Sequence, residues 1–305
     1  MTDDLDKAGL TRRVRELARE RNAILLAHNY QIEEVQDAAD FVGDSLELSQ
    51  KAATVTQDVI VFCGVHFMAE TASILAPRKT VLLPDPHAGC PMADMITGAE
   101  LRAWKARYPG RPVVCYVNTP AEVKAECDVC CTSANALRVV ESLPDPEVLF
   151  APDKNLAAFV ARRSTKKIIA WDGYCYVHHN ILPRDVRAMK DLHPAAEVWA
   201  HPECRPEVAD LADRVLSTGQ MVKAAPLSAA REVILATEPG IIHRLKRDNP
   251  GKEFFPAHPT IHCVNMKKIT LRKVHHALEA MVYQVQVPPD IADRARGAIE
   301  KMVRL

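Results

Sequence analysis

Three cysteines in this chain recur at nearly constant spacing. Cys90, Cys175 and Cys263 stand 85 and 88 residues apart, each after a short apolar run and a loop. The runs are Val81-Leu82-Leu83, Ile168-Ile169-Ala170 and Phe254-Phe255. Three thiolates can hold zinc or an iron–sulfur cluster. Zinc sites draw ligands from close pairs such as CxxC. Here one thiol comes from each third of the chain, which suits a larger inorganic body at an interface. A [4Fe-4S] cluster needs four ligands for full thiolate ligation, so three leave one iron open. An open iron is a Lewis acid, suited to dehydration and enolisation rather than electron transfer.

Other polar residues keep the same step. His28, Tyr116 and His201 each follow an apolar run, 88 and 85 residues apart. Ser45, Ser133 and Thr218 repeat at the same intervals, each expected at the start of a helix. Tyr30, Asn118 and Glu203 lie two residues beyond the first set. In parallel α/β units the site forms at the carboxyl ends of the strands, so these side chains should line one central cavity. Helix N-termini with Ser or Thr hydroxyls bind anions, which would hold carboxylates or a phosphate with few lysines or arginines.

The elements that must position them are short. Ala23–Ala27, Pro112–Cys115 and Glu197–Ala200 read as strands buried on both faces. So do Asp58–Phe62, Glu147–Phe150 and Glu232–Leu235, in register through Phe62, Phe150 and Leu235. A period of this length holds three strands and two or three helices. The fold expected is α/β: three pseudo-threefold-related α/β/α domains with small parallel sheets around a central cluster site. An N-terminal helix occupies 1–19, read from Leu5 to Arg21 on Leu10, Val14, Leu17 and Ala18. The repeats span 20–106, 107–192 and 193–270. C-terminal helices fill 271–305, one around Leu271–Val287 and one after Pro288-Pro289, and could brace the assembly with the first helix.

Composition narrows the class. Lys+Arg and Asp+Glu both number 39 in 305 residues, which leaves no excess charge for a nucleic-acid partner. The N-terminus lacks a signal-peptide pattern and no apolar run reaches membrane length, so a cytoplasmic protein with no membrane partner is expected. Nine cysteines in that setting read as metal or catalytic chemistry plus buried thiols. No GxGxxG or GxxxxGK phosphate loop is present. Cys127, Cys130 and Cys131 form a CxxCC cluster without a second pair, read as structural, and Cys63, Cys115 and Cys204 read as packed thiols. His178 and His179 stand evenly between site and structural roles, and His262 reads as packing. Lys267-Lys268 with Arg272-Lys273 reads as a solvated helix face.

Ordered segments along nearly the whole chain resemble quinolinate synthases. They are His28-Asn29-Tyr30-Gln31, Gly43-Asp44-Ser45, Gly89-Cys90-Pro91-Met92-Ala93-Asp94-Met95, Tyr116-Val117-Asn118-Thr119 and Cys131-Thr132-Ser133-Ala134-Asn135-Ala136. They continue with Trp171-Asp172-Gly173-Tyr174-Cys175, His201-Pro202-Glu203-Cys204, Ser217-Thr218-Gly219 and Cys263-Val264-Asn265-Met266. The resemblance implies one [4Fe-4S] cluster per chain, held by Cys90, Cys175 and Cys263. It implies condensation of iminoaspartate with dihydroxyacetone phosphate to quinolinate, phosphate and water, on the route to NAD. An aspartate-oxidising enzyme supplying the imine is the implied functional link. Carried over by motif, His28, Ser45, Tyr116, Val117, Asn118 and Ser133 line the substrate site. His201, Pro202, Glu203, Ser217 and Thr218 complete it. Glu203 is expected to transfer protons, with Tyr30, Tyr116 and His201 as partners. The C-terminal CxxCxxC of some members is absent here. Two rival readings are another [4Fe-4S]-dependent hydro-lyase of hydroxy acids and a non-enzymatic metal-binding protein.

Overall fold

The computed structural model describes residues 6–305. It contains three four-stranded sheets, every strand pair in them parallel. The first holds β1 (Ala23–His28), β2 (Phe41–Gly43), β3 (Val59–Cys63) and β4 (Thr80–Leu82). The second holds β5 (Val113–Tyr116), β6 (Val129–Cys131), β7 (Glu147–Ala151) and β8 (Lys167–Ala170). The third holds β9 (Glu197–Ala200), β10 (Arg214–Val215), β11 (Glu232–Ala236) and β12 (Glu253–Pro256). Strand order is the same in each: second, first, third, fourth. The architecture is therefore the expected α/β fold of three small parallel sheets.

Each sheet has one strand more than the period was read to hold. The strand missed is the second of each, only two or three residues long. A run that short carries no readable periodicity. It is pinned instead by an aspartate just before it. Asp40 Oδ2 accepts from Leu25 N at 2.8 Å, Asp128 Oδ2 from Val113 N at 2.8 Å, and Asp213 Oδ2 from Val198 N at 2.7 Å. The aspartate N–H groups donate back to the same three residues' carbonyls at 3.0, 3.0 and 2.8 Å. These aspartates are themselves 88 and 85 residues apart.

The central strands are buried along nearly their whole length, since helices cover both faces. The first helix runs Lys7–Glu20, capped by the Asp6 carboxylate on Gly9 N, and buries Leu10, Val14, Leu17 and Ala18. Leu5, where the helix was expected to begin, lies outside the described residues. The next-to-last helix, Leu271–Ala280, stops well short of Val287. Met281 takes a left-handed conformation with φ 52°, which breaks the helix. The following residues instead run beside β4, where Tyr283 O accepts from Leu83 N and Val285 N donates to Val81 O. The last helix, Pro289–Arg304, begins with Pro at its first position and buries Ala295, Ala298, Ile299 and Met302. Arg296 Nη1 reaches Ile74 O at 2.6 Å and Lys301 Nζ reaches Asp128 O at 2.9 Å, so this helix joins the first unit to the second.

Candidate active site

The carboxyl ends of the sheets open onto one cavity of about 740 Å³, its mouth included. Cys90, Cys175 and Cys263 all line it. Each opens one turn of helix. Asp94 N donates to Cys90 O, His179 N to Cys175 O and Lys267 N to Cys263 O. Each sulfur also faces backbone N–H groups: Met92 and Ala93 for Cys90, His178 for Cys175, Asn265 and Met266 for Cys263. Such N–H···S contacts favour a thiolate. Burial opposes them and wins, pushing the Cys90 thiol up to about 12 and raising the other two. These thiols therefore ionise only beside a cation.

Two buried carboxylates hold two of these loops. Asp153 Oδ1 caps the Lys154–Ala161 helix through Leu156 N, while its Oδ2 accepts from Cys175 N at 3.1 Å. Glu238 Oε1 accepts from Cys263 N at 3.2 Å and its Oε2 from Gly240 N at 2.7 Å. The corresponding place in the first unit, three residues after Phe62, is Val65, which holds no charge. There His66 N donates to Ala88 O instead. Tyr176 ties two loops together, its hydroxyl accepting from Val264 N at 3.0 Å.

Beside the cysteines lies a polar network. The Tyr116 hydroxyl donates to Glu203 Oε1 in a short hydrogen bond. Glu203 Oε2 lies 2.8 Å from His178 Nδ1. His178 Nε2 lies 3.0 Å from Thr237 Oγ1 and 3.3 Å from the Tyr30 hydroxyl. The His178 and His201 rings stack with centroids 4.4 Å apart. Burial works against a charged Glu203, but His178, His201 and the Tyr116 hydroxyl outweigh it and draw its pKa down. Burial, with Glu203 adding to it, raises both tyrosines, so they remain protonated donors.

His28 and His201 share one local geometry. His28 Nδ1 accepts from Tyr30 N at 3.1 Å, and His201 Nδ1 from Glu203 N at 3.2 Å. Burial lowers both imidazoles to about 3, so they are neutral near pH 7. With Nδ1 accepting, the ring proton sits on Nε2. Each ring therefore offers an N–H donor and no charge. None of the described residues lining the cavity is Lys or Arg. Asp44, Glu203 and Glu238 line the cavity beside these neutral donors.

Of the residues singled out from sequence, His28, Tyr30, Ser45, Tyr116, Asn118, Ser133, His201, Glu203 and Thr218 line this cavity. Val117, Pro202 and Ser217 do not. Ser217 caps the Thr218–Ala224 helix, accepting from Gln220 N at 3.3 Å. Ser45 and Thr218 begin helices as expected. Ser133 does not: it sits in a turn, and the helix starts three residues later at Ala136 behind Asn135. Asn118 Oδ1 is buried without a hydrogen-bond partner. The basic stretch is not simply a solvated face. Lys267 Nζ lies 2.5 Å from Tyr30 O and 2.9 Å from Glu238 Oε1, and Lys273 pairs with Asp85 at 2.5 Å.

Asp153, Glu238, Thr237 and Lys267 are not among the residues the sequence singles out for the site, and His178, evenly balanced between site and structural roles, joins the network. For Asp153 and Glu238 a signal existed, since each stands three residues after its landmark, Phe150 or Leu235.

Among the described residues, one trio of ligand atoms closes to single-ion distance: Cys175, His178 and Glu203, all within 4.8 Å. Those atoms already satisfy one another at 2.8 and 3.3 Å. The three recurrent thiols share the cavity without closing to that distance. That wider spacing suits a multinuclear body better than one ion. The donor set therefore fits an iron–sulfur cluster.

The class is thus a three-sheet α/β protein whose three recurrent cysteines meet a polar network in one cavity. Comparison with known proteins narrows the class. The family model for "Quinolinate synthetase A protein" matches residues 12–304. The quinolinate synthase of Dehalococcoides mccartyi strain CBDB1 is 59% identical over 296 residues, covering 97% of this chain and 98% of that one. That of Methanoregula boonei is 55% identical over 300 residues, covering 98% and 99%. That of Caldicellulosiruptor saccharolyticus is 50% identical over 303 residues, covering 99% of each. The chain belongs to the quinolinate synthase family, enzymes of NAD biosynthesis.

Proposed function

We propose that the chain condenses iminoaspartate with dihydroxyacetone phosphate to give quinolinate, phosphate and water. The observation that carries this reading is the meeting of the three recurrent cysteines with the Tyr116–Glu203–His178 network in one cavity. Cys90, Cys175 and Cys263 would hold a [4Fe-4S] cluster. When bound, the cluster supplies an iron without a protein ligand, a Lewis acid for a substrate oxygen or nitrogen.

The chain's own side chains account for the rest. Glu203, held as a carboxylate, is the base that takes a proton from substrate and returns it to a departing hydroxyl. Tyr116 and His178 fix its two oxygens, so the proton is exchanged at a defined point. His28 and His201 present Nε2–H donors to substrate carboxylate or carbonyl oxygens. The hydroxyls of Ser45, Ser133 and Thr218 hold the remaining carboxylate or phosphate oxygens. Asn118 Oδ1, free of any protein donor, is an acceptor for a substrate N–H or O–H. The imine would be supplied by an aspartate-oxidising enzyme.

The test is anaerobic incubation of the holoenzyme with both substrates, with quinolinate quantified. Quinolinate formation that needs both substrates is expected. A protein with full iron and sulfide that instead dehydrates a hydroxy acid, and makes no quinolinate, would overturn the reading.

A further inference from the structure

The CxxCC cluster lies outside the active-site cavity, and its geometry is not that of inert packing. Cys127 Sγ and Cys130 Sγ are 3.7 Å apart. A disulfide needs about 2.05 Å, so the gap to close is about 1.7 Å, within the reach of side-chain rotation. Cys130 is buried in β6, whereas Cys127 is half-buried, in the turn between the Ala121–Lys124 helix and that strand. Cys127 is thus the less enclosed of the two residues.

Cys127 Sγ lies 3.3 Å from Lys124 O, a contact that favours the thiol, but its other neighbours favour the thiolate. The Cys115 and Cys130 thiols both contact Cys127, and with the Lys124 side chain they hold its pKa well below the ordinary thiol range. The contact with Cys127, then burial, raises the Cys130 thiol, and burial, then the contact with Cys127, raises the Cys115 thiol, which leaves both protonated. Lys124 is fully buried. Its Nζ donates to Thr119 O and lies 5.4 Å over the Phe67 ring. The cluster is clamped from outside as well: Arg102 and Arg294 both pair with Glu126, and Lys301 Nζ holds Asp128 O. The two thiols are therefore held close by a rigid frame rather than meeting by chance. No trio at this cluster closes to single-ion distance among the described residues, so the thiols are not set to hold one metal ion.

We propose that Cys127 and Cys130 form a reversible disulfide by exchange with small-molecule disulfides. The Cys127 thiolate attacks one sulfur of the disulfide RSSR, forming a mixed disulfide and releasing RS⁻. Cys130 then gives up its proton and attacks Cys127 Sγ, releasing the second RS⁻. The two thiol protons end on the two released thiolates. The protein dithiol is oxidised by two electrons and RSSR is reduced to two RSH. The site lies one strand position from the active site, since Cys130 pairs with Cys115 and the next pair is Cys131 with Tyr116.

The experiment treats the anaerobic holoenzyme with oxidised glutathione and measures intact mass and tryptic peptides. Cleavage after Lys124 and Arg138 puts Cys127, Cys130 and Cys131 in one peptide, Ala125–Arg138. Loss of two hydrogens from that peptide is expected, with fragmentation assigning the link to Cys127 and Cys130 and dithiothreitol restoring the original mass. Cys127→Ser should abolish the loss and leave iron content and basal turnover unchanged; Cys131→Ser should preserve it. Three results would each overturn the proposal: a peptide that stays reduced in excess oxidised glutathione, a link made between Cys130 and Cys131, or a zinc ion retained on these thiols and shielding them from alkylation.

Discussion

Glu203 would carry the proton transfer in the proposed reaction. Both oxygens are engaged, by the Tyr116 hydroxyl and by His178 Nδ1 at 2.8 Å. A charged carboxylate this deeply buried persists only because those donors offset its desolvation. Glu203→Gln keeps the shape, loses the charge and forces an amide N–H toward a donor. Turnover should fall about 10²-fold or more, the usual scale for removing a general base, with the brown chromophore retained. Near-wild-type quinolinate formation would remove Glu203 from that role. Glu238 makes a different prediction, because its carboxylate holds Cys263 N and pairs with Lys267. Glu238→Gln should leave KM for both substrates within about twofold but speed the loss of iron to a chelator, a difference of about 1.5–3 kcal/mol for one charged hydrogen bond. Chelation kinetics matching the wild type would show that Glu238 does not support the cysteine loop.

At the scale of elements, short strands are held by side chains. Asp213 satisfies the Val198 N–H, which the two-residue β10 leaves without a strand partner. Asp213→Ala should therefore cost about 1–3 kcal/mol in urea unfolding, the penalty of one orphaned buried donor. A variant as stable as the wild type would show that the bond contributes nothing. Such details explain what could be read from the sequence. The longer strands announced themselves as apolar runs, and the helix around Leu10, Val14 and Leu17 by its spacing. The second strands did not, because two or three residues have no period, and the aspartates that fix them resemble ordinary turn residues until seen in register. The Leu271 helix was read too long because the apolar pattern continues to Val287 while the backbone turns at Met281. Ser133 was misplaced at a helix start for a related reason: Thr132 and Asn135 close a turn on each other before the helix begins. The His28 and His201 positions were legible because type and spacing repeat together. His178 was not, since its role depends on Glu203 arriving from another unit.

Over the whole molecule, the last helix joins two units through a carboxylate at their surface. Arg102 and Arg294 flank Glu126, and although burial raises its pKa, the two guanidiniums outweigh that and lower it below the ordinary 4.5. A depressed folded value means that this contribution to stability is present above about 4.5 and fades as pH falls through the lower folded value. Glu126→Gln should therefore be less stable than the wild type at neutral pH, with the gap closing in acid. A gap that is constant with pH would contradict the ion pairing. Three parallel-sheet units bring three thiols to one cavity, where they would hold the cluster. The most direct test is iron and acid-labile sulfide counted per chain after anaerobic purification, in the wild type and in Cys90→Ala, Cys175→Ala and Cys263→Ala, with quinolinate formation assayed alongside. About four irons and four sulfides are expected in the wild type, with loss of the chromophore and of quinolinate formation in all three variants. A variant that keeps its full iron, or a wild type carrying zinc alone, would contradict this.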